Sequence, residues 1–147
     1  MKNREMHLRQ RNLPLLMLQA REAVFERFRP ILAEAGLTEQ HWRIIRALLE
    51  NGPLEPRQIG SICCLSSPSL AGILARMDAL ELVHRERLAH DQRRVLVSVS
   101  GKGREIASQL APAIQGAYAE LEKQLGKQVT QDLHALLDLV ISRLKGG

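Results

Sequence analysis

The sequence predicts a mainly α fold with one small β-hairpin, and three observations carry that expectation. Apolar residues recur at helical spacing along most of the 147 residues, from Leu13, Leu16, Met17 and Ala20 to Leu133, Leu137 and Val140. Hydrophobic residues make up 45% of the chain but aromatic ones only 3%, so Leu, Ala, Ile and Val supply the apolar mass, which suits packed helices. The period shortens to two near residues 94–100, where Val95, Val97 and Val99 share one face. A charged fraction of 25% beside that apolar content is ordinary for a globular domain and argues against disorder. The length fits a single domain, 1–147, large enough to bury a core.

Each element has a local reason. Asn12 caps the first helix and Pro14 stands near its first turn. Val24, Phe28, Ile31 and Leu32 extend its stripe, Pro30 is expected to kink or restart it, and Gly36 to end it. Thr38 caps a second helix with Trp42, Ile45 and Leu48/Leu49 on one side, and Asn51-Gly52-Pro53 stops it. Pro56 opens a short helix containing Ile59 and Ile62. In Ser66-Ser67-Pro68 the spacing predicts Ser67 as cap and Pro68 as first residue of a helix that carries Leu70, Ile73, Leu74 and Met77 to about residue 80. Residues 83–87 and 94–100 make the hairpin around a polar turn. Gly101-Lys102-Gly103 joins it to a long helix, Ile106 to Leu125, expected to bend near Pro112. Gly126 interrupts, and Leu133, Leu136, Leu137, Val140 and Leu144 mark a last helix.

Two short-linked helices with a hairpin directly behind them make a winged helix-turn-helix, about residues 38–102, whose second helix lies in a DNA major groove. The net charge of +5 is unevenly spread. Residues 1–30 carry seven basic and three acidic side chains, and residues 54–104 eight and five, which suits a polyanionic partner. Ser66, Ser67 and Ser69 offer hydroxyls at a helix start, and Leu70 is placed to touch a thymine methyl. The hairpin carries Arg85, Arg87, Arg93 and Arg94 towards phosphates or a narrow minor groove, with Asp91 fixing the turn. Taken alone, such a hairpin is also a charge-protected edge strand, and such serines are also plain caps.

The pattern resembles the MarR family of bacterial transcription regulators. The matching residues are Leu37-Thr38, Trp42, Ile45, Ser69, Leu74-x-Arg76-Met77, Leu82-Val83-x-Arg85, Asp91-x-Arg93 and Val95-x-Val97-Ser98-Val99-Ser100-x-x-Gly103. The resemblance implies a homodimer, with residues 12–35 and 103–147 as dimerisation helices and two wings on a pseudo-palindromic operator in double-stranded DNA. It makes Asp91 the wing-ordering acid and Arg93 the minor-groove arginine, and Arg76 joins the candidate DNA contacts. Val24, Phe28, Ile106, Leu110, Leu133, Leu137 and Val140 are candidates for the shared core. Glu81 departs from the pattern, which usually has glycine there, so the helix end is expected to be shaped differently.

Gln19-Ala20-Arg21-Glu22-Ala23, Phe28-Arg29-Pro30-Ile31, residues 37–46 and Asp91-Gln92-Arg93-Arg94 are similar to the subgroup that controls homoprotocatechuate (4-hydroxyphenylacetate) degradation. That similarity implies a repressor of a catabolic operon, released by a small aromatic carboxylic acid. Such a ligand needs a cation and an apolar wall, for which Arg21, His41, Trp42 and Arg43 are the candidates. Trp42 as plain core, and the arginines as surface ion pairs, are the alternatives.

Two other readings compete. Cys63 and Cys64 permit an oxidant sensor, although buried, unreactive thiols are the plainer expectation. A winged helix can also serve only as a protein-interaction module. Scattered histidines (His7, His41, His84, His90, His134) predict no metal site, no cofactor motif is present, and no catalytic motif points to an enzyme. Adjacent cysteines form no disulfide framework, residues 1–11 are charged without an apolar leader core, and no apolar window spans a membrane, so a cytoplasmic protein is expected.

Overall fold

The computed structural model describes residues 8–146; His7 and most of the charged N-terminal stretch lie outside the described residues. The elements are α1 (Leu13–Phe25), α2 (Arg29–Glu34), α3 (Glu39–Asn51), α4 (Pro56–Cys63), α5 (Ser67–Ala79), β1 (Val83–Leu88), β2 (Asp91–Val99), α6 (Gly101–Leu125) and α7 (Lys127–Lys145). This is the mainly helical chain with one antiparallel hairpin that the sequence predicts.

Asn12 caps α1, its Oδ1 accepting the Leu15 N–H at 3.1 Å. The expected kink becomes a break at residues 26–28, one turn ahead of Pro30. Proline offers no N–H to the carbonyl four residues back and crowds it, so the helix restarts with Pro30 in the first turn of α2. Gly36, at φ 73°, ends α2 while the Leu37 N–H reaches back to the Leu32 carbonyl at 2.9 Å. Thr38 caps α3.

The core centres on α3, where Ile44, Ile45 and Leu48 are fully buried against Ile59 of α4, Met77 of α5 and Val83 and Val97 of the hairpin. Leu54 and Val97 exchange both backbone hydrogen bonds, at 2.9 and 2.8 Å, so the segment before α4 seats the hairpin's base. Ser66, not Ser67, is the N-cap of α5; Ser67 and Pro68 are its first two helical residues. Neither of those positions has an intrahelical partner for its N–H, so proline is accommodated at the second as readily as at the first.

Glu81 does not reshape the helix end. It adopts φ 61° itself, and α5 closes with the Leu82 N–H on the Met77 carbonyl and the Glu81 N–H on Asp78, both at 2.9 Å. This is the double bond of a glycine-type terminus, made with a residue that bears a Cβ.

β1 and β2 pair from Val83↔Val99 to Arg87↔Val95, then slip to Leu88↔Asp91, leaving residues 92–94 outside the ladder. Behind the hairpin, Ser100 caps α6. Its N–H donates to the Leu82 carbonyl (3.0 Å), its Oγ to the Glu81 carbonyl (2.6 Å), and Lys102 Nζ to the Leu80 carbonyl (3.0 Å). Gly103 lies so close that an added Cβ would stand 2.5 Å from the Leu82 oxygen. The end of α5 and the start of α6 are thus one joint. α6 continues as a single helix through Pro112.

Neither α1 nor α7 has a buried residue. Among the candidates for a shared core, Leu133, Leu137 and Val140 are exposed, but Phe28 and Leu110 are buried within their own chain, and Val24 and Ile106 are half-buried there. Among the described residues, no single helix is long and apolar enough to cross a membrane.

Candidate nucleic-acid interface and adjoining groove

The first-turn N–H groups of α5 have no side-chain cap, because the Ser66 hydroxyl is turned to Ser69 Oγ at 2.9 Å. Ser66, Ser67 and Ser69 are exposed, so hydroxyls and unpaired N–H groups stand together at the positive end of a helix. Ser69 and Arg76, seven residues apart, share an exposed face with Gly72. Leu70 does not join them: it is only 3% exposed and belongs to the core, because the stripe Leu70, Leu74, Met77 faces inward. The expected thymine contact is therefore withdrawn.

The hairpin tip is ordered by its own side chains. Asp91 Oδ1 accepts the Arg93 N–H at 3.1 Å, and Arg87 Nη1 donates to the Gln92 carbonyl at 2.6 Å. The unpaired stretch 92–94 projects Arg93 to solvent. The other two arginines differ from expectation. Arg85 donates from Nε and Nη2 to Asp78 Oδ2 of α5, at 3.1 and 2.9 Å, and Arg94 Nε pairs with Glu55 Oε1 beside α4. Both are held by carboxylates on the helix side while remaining exposed.

On the other side of α3 runs a groove of about 1050 Å³, walled by α1, α3, α6 and α7. Its aromatic surface comes from Phe25, Phe28, Trp42 and Tyr118, with the Phe28 and Tyr118 rings 4.7 Å apart. Arg21, Arg43 and Arg46 supply its cations. Arg21 and Arg43 converge on one carboxylate, Glu39, and Arg43 Nη1 also donates to the Cys63 carbonyl at 2.8 Å. Arg46 pairs with Glu50 at 2.7 Å, donates to the Tyr118 hydroxyl at 3.0 Å and lies 5.8 Å from the centre of that ring. The Glu50 hydrogen bond, with help from Tyr118, holds the Arg46 guanidinium above arginine's ordinary pKa.

The structure thus brings Arg21, Trp42 and Arg43 together as the sequence suggested, but not His41. His41 is buried as half of the α3 cap: its Nδ1 accepts the Thr38 N–H at 3.2 Å, and its own N–H donates to Thr38 Oγ1 at 3.1 Å. Burial, and then the charge of Arg76, lower its pKa. Sequence reasoning missed Arg46 and Tyr118, which are 72 residues apart and meet only through the packing of α3 on α6. Cys63 is buried, its thiol pushed up by burial, whereas Cys64 is exposed at a left-handed φ of 56°. Among the described residues, no three His, Cys, Asp or Glu side chains form a metal-ligating cluster.

A helix-turn-helix with an open recognition-helix start and an arginine-tipped hairpin behind it is the architecture of the winged helix-turn-helix DNA-binding proteins. Residues 35–94 match the MarR family. The HTH-type transcriptional regulator FarR of Neisseria gonorrhoeae is 39% identical over 112 residues, 76% of this chain and 77% of that one. The homoprotocatechuate degradative operon repressor of Escherichia coli is 37% identical over 131 residues, 89% and 88% of the two chains. The crystal structure of NadR in complex with 4-hydroxyphenylacetate superposes with a TM-score of 0.78 at 34% identity, covering 92% of this chain and 96% of that one. The chain belongs to the MarR family, and it is a transcriptional regulator rather than an enzyme.

Proposed function

We propose that this chain is a cytoplasmic repressor that binds a pseudo-palindromic operator as a homodimer and is released from it by a small aromatic carboxylic acid. The observation that carries the reading is the groove itself, in which a guanidinium, a phenol and three further aromatic rings face one space beside the helix-turn-helix. Names of relatives support the ligand class: one is a repressor of homoprotocatechuate degradation, and another was crystallised with 4-hydroxyphenylacetate.

The dimer is supported by α1 and α7, whose leucines, Leu13, Leu15, Leu16 and Leu18 on one and Leu133, Leu136, Leu137, Leu139 and Leu144 on the other, all remain exposed in the single chain. Residues 12–35 and 103–147 are its proposed dimerisation helices, and residues 38–102 the DNA-binding unit. Two copies of α5 then read major grooves about one helical turn apart, through Ser66, Ser67, Ser69 and Arg76, while Arg87 and Arg93 reach the flanking backbone or minor groove, ordered by Asp91.

Arg46 is the best anchor for an effector carboxylate. Arg21 and Arg43 share Glu39, and Arg43 is half-buried with a second partner, so neither exchanges its bonds cheaply. Arg46 has only the exposed Glu50 to give up, and the Tyr118 hydroxyl beside it adds a second polar contact. Trp42 and Phe28 supply the apolar wall.

The test is a DNA-binding titration with and without phenolic and phenylacetic acids. A differential affinity of about 1–3 kcal/mol between the two states of the dimer releases DNA about 5- to 150-fold. The Arg46→Ala protein is expected to bind operator like wild type and to need far more ligand for release. Release of the variant at the wild-type ligand concentration would remove Arg46 as anchor, and no release by any acid in the panel would remove the effector class.

A further inference from the structure

The four arginines of the hairpin are not equivalent. Arg87 and Arg93 belong to the tip, and neither pairs with an acid among the described residues. Arg85 lies lower on β1, opposite Val97, and Arg94 follows Arg93 in the unpaired stretch of β2; each is bound to a carboxylate at a different helix of the DNA-binding unit. Arg85 of β1 makes two bonds to Asp78, on the last turns of α5; Arg94 of β2 reaches Glu55, the residue that opens α4. Between these pairs the hairpin does not pack tightly on the helices. A cleft of about 480 Å³ separates them, with Arg85 and Val95 on the hairpin side and Ser67, Leu70 and Leu74 on the α5 side. The backbone bridge from Leu54 to Val97, the residue opposite Arg85, seats the base of the hairpin beside this opening.

We propose that Asp78–Arg85 and Glu55–Arg94 are struts that set the wing at a fixed angle to the recognition helix, so that Asp78 and Glu55 are positioning residues for operator binding and Arg85 and Arg94 act through them rather than as phosphate contacts. This rests on the DNA-binding reading above. Two acids on a surface that meets a polyanion cost electrostatic attraction, and a geometric role is what offsets that cost. Specific binding needs the wing and α5 to engage at once. Binding to unspecific sequence needs only charge.

The sign of one substitution separates the two possibilities. Asp78→Asn removes a negative charge from the DNA-facing side. A residue that acts only through charge then gives tighter binding to any duplex. A strut gives weaker binding to the right duplex and unchanged or tighter binding to the wrong one. One exposed ion pair holds its geometry by about two- to fivefold, and the two wings of a dimer multiply this to about four- to twenty-five-fold.

The experiment uses full-length wild-type, D78N, R85Q, the D78N/R85Q double variant and E55Q. The probes are a duplex selected by the wild type from random sequence and a scrambled duplex of equal length, titrated over a range of salt. The expected result is a four- to twenty-five-fold loss for D78N on the selected duplex alone, an unchanged salt slope, and no added loss when D78N is combined with R85Q, with roughly that same loss again for E55Q. A misfolded variant would lose both duplexes together and show a lowered melting temperature, so the preserved scrambled binding reports geometry. The proposal is overturned if D78N tightens both duplexes. It is equally overturned if R85Q alone weakens binding while its salt slope falls by about two, the signature of one lost phosphate contact per wing. A wild type that selects no duplex at all overturns the DNA-binding reading and the struts with it.

Discussion

Replacing Glu81 by glycine is expected to stabilise the protein without touching a contact. Glu81 sits at φ 61°, and everything the helix end needs from it is backbone: its N–H on Asp78 at 2.9 Å, and its carbonyl under Ser100 Oγ at 2.6 Å. A residue with a Cβ loses about 1–2 kcal/mol in the left-handed region. Glycine recovers that but gives back roughly 0.5–1 kcal/mol through its freer unfolded chain. Pairing the low ends and the high ends of these ranges leaves about 0.5–1 kcal/mol per chain. At this chain length that raises the melting temperature by about 1–4 °C. The assay is thermal unfolding of E81G, E81A and wild type at one protomer concentration, since association makes the midpoint concentration-dependent. E81A removes the same carboxylate but keeps the Cβ, so it should melt within about 1 °C of wild type. A gain in E81A equal to that in E81G would mean that charge, not backbone strain, is being relieved, and a lower midpoint for E81G would refute the reasoning outright.

Other outcomes follow from the same geometry. Gly103→Ala drives a methyl to 2.5 Å from the Leu82 oxygen and 2.8 Å from Val99 Cγ2, so it should cost about 1–3 kcal/mol and lower the melting midpoint by roughly 2–12 °C. His41 has a lowered pKa and accepts a backbone N–H through Nδ1, so it contributes stability above about pH 6.5 that is lost as the pH falls below that, when the unfolded chain takes up the proton first. His41→Gln keeps a side-chain acceptor and should flatten the drop in melting temperature between about pH 7 and 5; an equal drop in both proteins would acquit His41. An aromatic disulfide reagent should consume one thiol in the native protein, that of Cys64, and reach Cys63 only on unfolding; rapid labelling in C64S would contradict the burial of Cys63.

Local chemistry was the legible part of this fold. Caps at Asn12 and Thr38, the stop at Gly52, the alternating valines and the break at Gly126 each follow from one residue's own backbone preference. Errors arose where two local solutions are nearly degenerate. Ser66 and Ser67 are both good caps, and the chain used the first. At Glu81 a preference was overridden, because the joint with Ser100 and Gly103 demands the left-handed turn whichever residue supplies it. Leu70 could be read from its own stripe as core, and assigning it a base contact ignored that period. His41 stands where a capping box usually has glutamate or glutamine, so its role as an acceptor was hidden by its type. The pairs Arg46–Tyr118 and Arg94–Glu55 join residues 72 and 39 apart, and no periodicity reports such encounters.

The joint at Ser100 turns α6 into a lever with its short end on the recognition helix. Tyr118 lies 15 residues along the same helix from Gly103, so at about 1.5 Å per residue the long arm is roughly 22 Å. A shift of about 1 Å at Tyr118 is then a rotation of about 3° at the joint, given the helical rise that sets the arm. Ser100, Lys102 and Gly103 tie that end to residues 80–82, directly behind α5. In the proposed mechanism a disturbance in the groove reaches the DNA-facing side as a change of angle, the quantity that decides whether two helices can enter successive turns of a duplex.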